Sequence, residues 1–273
     1  MDSIFNHPAI QGGVAPFVVG LILVVALRPL RLSGLAVVGA LVTAVYLVSG
    51  LTFEPLTASR KIILVGCVAP VVGAAVDFAF KLTRIGGALI AVASGAASVW
   101  VFWSILIQKN LPEALLLGGM TSVFVALVSA IGLSLAREPV RAGSAALSLG
   151  LGVGISAMLG ASALYALYGI ALGAGAGAFL LVQMVTGRKI FAGATLMLSA
   201  SLVAGLLAAA TMVLAKLPWY ALPALAFVPL ATLVPLPEKM PIWQQAFLRS
   251  GCAIMVAGIA FALTWQFAGN EAT

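Results

Sequence analysis

The sequence predicts an all-α polytopic membrane protein with about ten transmembrane helices. Of its 273 residues, 63% are hydrophobic and only 8% are charged, whereas a water-soluble domain carries about a quarter charged residues. Apolar runs of about 20 residues, the length that crosses a bilayer core of about 30 Å, follow one another along the chain. Short turns between these runs hold most of the charge. Helices fit this pattern because each one satisfies its backbone hydrogen bonds internally.

The spans are assigned in order from the apolar runs and the turns between them. The stretch from Gly143 to Gly187 has no charged residue and is twice the length of one crossing. We therefore divide it at a predicted turn near Gly160–Tyr165. The whole chain, residues 1–273, is then expected to form a single transmembrane bundle. The ten predicted spans are 12–28, 32–51, 62–80, 85–107, 114–136, 143–161, 165–186, 190–215, 219–236 and 247–268.

The basic residues of the loops predict the orientation of the chain. Counted with their flanks, the odd-numbered loops hold ten Lys and Arg residues and the even-numbered loops hold four. Cytoplasmic loops carry the excess of basic residues, so both termini are predicted on the outer face. A single crossing over residues 143–187 would leave seven basic residues on each side of the membrane. The uneven distribution of ten and four therefore favours two spans there. The interpretation is an integral protein of the bacterial inner (plasma) membrane.

The ten spans divide into halves of five, residues 1–136 and 143–273, at a charged segment that contains Pro139. Because five is odd, a duplicated half would insert upside down, as do the inverted repeats of many secondary transporters. The matches between the halves are as short as Leu111–Pro112–Glu113 and Leu236–Pro237–Glu238. Such matches arise easily in a biased composition, so true repeats and unrelated halves both stay open.

The ninth span and its flanks hold six of the chain's 13 prolines. Proline removes a backbone donor and clashes with the preceding turn, which predicts a broken helix. Span four, at the matching position of the first half, is rich in glycine and serine. Interrupted segments at matching positions indicate a transporter binding site. The alternative is a kinked helix that only packs well.

Glycines recur every four residues in two neighbouring spans. Gly150 and Gly154 lie in span six, and Gly169, Gly173 and Gly177 lie in span seven. This spacing makes a shallow groove on one helix face and predicts close contact with another helix. Packing within the chain is favoured, and docking of partner membrane subunits on these small-residue faces is the alternative.

The candidate site residues are the few polar groups inside the spans. Asp77 is costly to bury in lipid, which makes it a candidate for proton or cation coupling. The alternative is an interfacial anchor in which Asp77 pairs with Lys81, four residues later. Asp77 and the weakly polar Ser94, Ser98 and Thr232 are the residues of a predicted substrate path between spans three, four, eight and nine.

The composition argues against several function classes. A single His cannot supply paired haem ligands, and there is no phosphate-binding loop of the nucleotide hydrolases. Cys67 and Cys252 fall in different spans, away from any cluster of metal ligands. No cofactor or metal is therefore expected. The net charge of +7 is spread over loop ends, which argues against a nucleic-acid partner.

The favoured function is a permease for a small neutral or weakly polar solute, and not an enzyme. The alternative is a non-catalytic membrane subunit or an assembly scaffold of a larger membrane complex. A lipid-modifying enzyme is a third possibility, which would need polar residues clustered at one membrane face. The expected partners are the lipid bilayer, a small-molecule substrate and, for the scaffold, other membrane subunits.

Overall fold

The computed structural model describes residues 7–79, 83–215, 217–237 and 240–270. Within these ranges, eight helices are long and apolar enough to cross a membrane, and two further apolar helices are shorter. The architecture is that of an integral membrane protein. In chain order the helices are α1 (Ile10–Leu27), α2 (Leu35–Val48), α3 (Ala58–Phe78), α4 (Arg84–Leu106), α5 (Leu111–Leu135), α6 (Pro139–Leu159), α7 (Ala163–Thr186), α8 (Gly193–Leu214), α9 (Ala221–Leu233) and α10 (Ile242–Asn270).

Two of the ten predicted spans are shorter helices than the sequence indicated. The second predicted span contains α2, whose 14 residues extend about 21 Å. The ninth contains α9, an α-helix over Ala221–Phe227 followed by a 3-10 turn over Leu230–Leu233. The predicted break in this span is confirmed. Pro229 lies at the break, where its missing N–H cannot continue the helical hydrogen bonds.

Helix starts follow local capping chemistry. The Thr83 side chain accepts a hydrogen bond from the Gly86 N–H at 3.0 Å, and Asn110 accepts one from the Glu113 N–H at 3.0 Å. These caps satisfy N–H groups that have no partner inside the first turn. The turn predicted near Gly160–Tyr165 is confirmed as a short connection over residues 160–162.

Contacts between helix ends define two ends of the bundle. Asp77, at the end of α3, contacts Thr195 at the start of α8, and we call this the Asp77 end. Ser49, just after α2, lies with its hydroxyl 2.8 Å from that of Tyr168, near the start of α7. We call this the Tyr168 end. Helices α3 and α8 therefore meet at the Asp77 end, and α2 and α7 meet at the Tyr168 end.

Helix α8 lies at the centre of the bundle. In its most apolar 18-residue stretch 89% of the residues are buried, against 39% in α3 and in α4. It packs against α3, α5, α6 and other helices. Helix α8 is buried on all sides, because its alanine, glycine and serine residues let the backbones of neighbouring helices approach closely. In lipid, such close packing holds helices together by dispersion.

The predicted close contact of spans six and seven is confirmed within the chain. A Cβ added to Gly150 would lie 2.5 Å from the backbone nitrogen of Gly173. One added to Gly169 would lie 2.6 Å from that of Gly154. The glycines of α6 and α7 thus face each other. Gly177 has more room, since a Cβ there would meet the Leu147 side chain at 3.5 Å.

Candidate functional site

A cleft of about 470 Å³ lies between α3, α4 and α8. These helices correspond to three of the four spans between which the sequence predicted a path. The cleft exists because α3 and α4 both pack on other helices, α3 on α8 and α4 on α5, and touch each other only sparsely. Its wall includes Val65, Val68, Ile90, Ser94, Leu198 and Leu202.

The cleft is apolar and opens on the side of the bundle. Val68 and Val72, on its rim, are 57% and 39% exposed. Ser94 is buried, and its hydroxyl donates to the Ile90 carbonyl at 2.8 Å. A hydroxyl that donates to its own helix keeps lone pairs with which it can accept another hydrogen bond. The cleft can therefore take an apolar group that carries one weak donor.

Lys61 and Trp100 join α3 to α4 at the Tyr168 end of the cleft. The Lys61 ammonium lies 5.2 Å from the centroid of the Trp100 ring and donates to the Trp100 carbonyl at 3.3 Å. A cation over an indole face is attracted by the ring quadrupole. Trp100 lines the cleft, so this contact fixes part of its wall. Sequence reasoning missed Lys61, because its partner is 39 positions away.

Asp77 caps helix α8 from the neighbouring helix α3. Its Oδ1 accepts a hydrogen bond from the Ala194 N–H at 2.7 Å. Its Oδ2 accepts two from Thr195, from the N–H at 2.9 Å and the hydroxyl at 2.7 Å. A carboxylate at a helix N-terminus also complements the helix dipole. The predicted partner Lys81 lies outside the described residues.

Ser98 and Thr232 are fully buried and bond to their own segments. The Ser98 hydroxyl donates to the Gly95 carbonyl at 2.7 Å, and the Thr232 hydroxyl donates to the Pro229 carbonyl at 2.7 Å. Ser98 lies one turn after Gly95, where α4 packs closely on Ser122 of α5. The segment of Thr232 packs against α6 and α10. Of the four predicted residues, the structure therefore brings Ser94 alone to the lining of the cleft.

The broken helix α9 forms a second cavity with α5. This apolar groove has a volume of about 660 Å³ and lies between Met120 and Val123 of α5 and, on the other side, Trp219 just before α9 and Pro223 and Phe227 of α9. Helix α9 is broken and contains prolines, and a space remains between it and α5. The groove carries no titratable side chain in its lining.

The cleft offers shape, van der Waals contact and the Ser94 hydroxyl. In the part of the chain that the structure describes, no group of three or more His, Cys, Asp or Glu residues could hold a metal ion. No protein-family model matches the chain, and no curated protein sequence matches it.

Proposed function

We propose that the chain is an integral membrane permease for a small neutral or weakly polar solute, with the α3–α4–α8 cleft as part of its path. The observation that carries this proposal is the cleft, because its volume of about 470 Å³ is within the range of small-molecule sites. A charged solute would lose its hydration against these apolar walls without gaining a counter-ion. The Ser94 hydroxyl would orient a solute with a single polar group.

Ten crossings are part of this proposal. Helix α2 is short, yet it connects the two ends, since Gly34 before it lies against Leu196 near the start of α8. Trp219 and Leu230 both line the groove between α9 and α5, which supports a crossing by α9 beside α5. Ten crossings place the odd-numbered loops at the Asp77 end, which would face the cytoplasm of a bacterial cell because those loops are the basic ones.

The packing of matching helices supports two inverted halves, 1–136 and 143–273. The third helices of the halves, α3 and α8, pack on each other, as do the second helices, α2 and α7. Gly73 lies against Thr195 and Gly66 against Val203, so α3 and α8 are antiparallel. A two-fold axis in the membrane plane relates antiparallel helices, and transporters with such repeats bind substrate where the repeats meet.

Uptake into proteoliposomes tests the proposal. The protein is reconstituted and supplied with a panel of radiolabelled neutral solutes, including polyols, amides and aromatic alcohols. Ser94→Leu fills the cleft and is expected to reduce uptake at least about ten-fold, equivalent to about 1.4 kcal/mol in the rate. Ser104→Leu is the matched control, because Ser104 lies exposed on the same helix. Uptake no faster than in empty liposomes, or normal uptake by Ser94→Leu, would contradict the proposal.

The alternative function is a non-catalytic membrane subunit or assembly scaffold. Its main support was the set of small-residue faces, which can dock partner helices. In α6 and α7 these faces contact each other, which leaves them no free surface for a partner. Purification in a mild detergent separates the two proposals, since a scaffold would bring a second membrane protein with it in fixed proportion.

A further inference from the structure

Polar groups that the cleft does not use converge at the Asp77 end, where α6 and α10 begin. Arg249 of α10 is only 5% exposed. The Nε atoms of Arg249 and of Arg141, on the first turn of α6, are buried without a hydrogen-bond partner. The amide nitrogen of Gln183, near the end of α7, is also buried and unpartnered. Buried polar groups are almost always hydrogen-bonded, so three at one end of a bundle need a physical explanation.

The two arginines face the same interface. The Ser144 hydroxyl donates to the Ala246 carbonyl at 3.4 Å and the Ser148 hydroxyl to the Ser250 carbonyl at 3.3 Å, so α6 and α10 lie side by side and run in parallel. Arg141 lies one turn before Ser144. Side chains on a helix tilt toward its N-terminus, which directs the Arg249 guanidinium toward the level of Arg141.

The local charge is positive. Arg249 interacts electrostatically with Arg141 and with Glu138. The Glu138 carboxylate also forms an ion pair with Lys189, whose ammonium lies 3.8 Å away. Neither arginine forms an ion pair within the described residues. The N-termini of α6 and α10 add partial positive charge at the same place. The Arg249 Nη1 donates a long hydrogen bond to the Gln245 Oε1 at 3.4 Å, which does not neutralise its charge. A buried charge without a counter-ion is destabilising, which favours an anion here.

We propose that Arg141 and Arg249 bind a phosphoryl group between the starts of α6 and α10. A guanidinium presents a planar fork of donors that matches two phosphate oxygens. Two such forks suit the charge and the several oxygens of a phosphate better than those of one carboxylate. The phosphate belongs either to a lipid headgroup or to a soluble ion. The site is independent of the permease proposal.

A cavity lined by basic residues lies at the start of α6. It has a volume of about 500 Å³ and is lined by Arg28, Arg31, Pro139 and Lys189, with Ile190 and Phe191 behind them. Pro139 is the first residue of α6, two positions before Arg141. Exposed cations near a buried site raise the local concentration of anions. The cavity would therefore concentrate anions beside the first turn of α6, which carries Arg141.

Thermal unfolding of the delipidated full chain in neutral detergent tests the site. Phosphatidic acid is compared with diacylglycerol, which lacks the phosphate, and sodium phosphate is compared with sodium chloride at equal ionic strength. At saturation we expect phosphatidic acid or phosphate to raise the wild-type Tm by at least about 3 °C. Arg249→Gln and Arg141→Gln should each lose this increase. Arg84→Gln, which removes an exposed arginine at the start of another helix, should keep it.

Each result has a defined meaning. An increase with phosphatidic acid alone identifies a lipid headgroup, and an increase with both ligands identifies a phosphate site open to solution. If Arg249→Gln does not accumulate, Arg249→Lys takes its place in the test. Lysine keeps the charge but lacks the planar fork of donors, so the ligand should raise the Tm of this variant less than half as much as that of the wild type. No increase with either ligand, or equal increases in wild type, Arg141→Gln and the Arg249 variant, would overturn the proposal.

Discussion

Thr195 donates two hydrogen bonds to the carboxylate of Asp77, one from its backbone N–H at 2.9 Å and one from its hydroxyl at 2.7 Å. The two residues are 118 positions apart and lie on α3 and α8. The first turn of a helix leaves N–H groups unsatisfied, and lipid offers them no water. Asp77 satisfies these groups for α8, the most buried helix of the bundle. Its carboxylate is therefore used in holding α3 against α8.

The first prediction is that Asp77 variants lose stability. Asp77→Ala leaves the N–H groups of Ala194 and Thr195 without an acceptor and should reduce the free energy of unfolding by about 2 kcal/mol. Asp77→Asn keeps an acceptor oxygen but loses the charge, and should cost about half as much. Denaturant unfolding in mixed micelles measures both changes, with Glu54→Gln in an exposed loop as the control.

The same variants distinguish a structural role from proton coupling. Solute uptake by Asp77→Asn is expected to retain the pH dependence of the wild type, because the carboxylate is occupied by the start of α8. If the variant were stable and its uptake lost all pH dependence, Asp77 would be a coupling residue instead. Uptake that stays unchanged in amount and in pH dependence, with lower stability, supports the cap.

The second prediction concerns Gly193, the first residue of α8, which comes just before the two N–H groups that Asp77 caps. Gly193 has a φ of +65°, and a Cβ on it would collide with the carboxylate of Asp77. Gly193→Ala should therefore cost at least about 2 kcal/mol of stability, from the left-handed backbone and the collision together. Gly187→Ala is the matched control, because Gly187 has a φ of +61° with open space around it. It should cost about 1 kcal/mol. Equal losses in the two variants would show that the collision is relieved without cost.

Sequence patterns predicted the features that depend on short-range spacing. Gly150 and Gly169 were identified from a four-residue repeat, and the break at Pro229 followed from the chemistry of proline. The length of α2 was overestimated, because hydropathy measures apolar character and not helical geometry. The predicted span 32–51 extends beyond α2 at both ends, and at its second end the chain leaves the helix at Ser49 and turns through Gly50, with a φ of +69°.

The contacts of the site residues join positions far apart in the sequence, and no local sequence pattern predicts them. Asp77 was notable as an acid inside a span, but nothing near it in the sequence indicates Thr195. Arg249 was counted as a basic residue of a loop flank, although the fold buries it beside α6. Ser94 and Thr232 lie in predicted spans four and nine, which were expected to line one path. Their helices pack against different neighbours, since α9 lies on the α10 side of the bundle.

The third prediction tests the contact of α6 with α7. Gly169→Ala places a methyl group against the backbone of Gly154, and the helices must separate to accept it. We expect a loss of about 1–3 kcal/mol, the cost typical of overpacking. Gly119→Ala is the control, because a Cβ on Gly119 meets nothing within 4 Å. Alanine is the better helix former, so this variant should gain up to about 1 kcal/mol. A loss of stability in Gly169→Ala together with a gain in Gly119→Ala would show that packing, and not helix propensity, determines the effect at Gly169.

The fourth prediction is that Thr232 has a structural role only. Thr232→Val keeps the shape of the side chain and removes its bond to the Pro229 carbonyl, at a cost of about 1 kcal/mol. Thr186→Val is the matched control, because the Thr186 hydroxyl makes a similar bond to the Val182 carbonyl but the residue is exposed. The control should lose less stability. Uptake by Thr232→Val should equal that of the wild type, and a ten-fold loss would place Thr232 on the substrate path.

The last prediction concerns the two short helices. If α2 crosses the membrane, Leu30 and Thr52 at its ends lie on opposite faces, and the same holds for Trp219 and Val234 around α9. All four residues are exposed in the bundle. Single cysteines at these positions, in a chain whose native cysteines are replaced by alanine, can be labelled with a membrane-impermeant maleimide. Cysteines at 52 and 219 should react in intact cells, whereas those at 30 and 234 should react only after the membrane is opened. If both members of a pair reacted in intact cells, that helix would not cross. A chain with only one of the two crossings would have its termini on opposite faces.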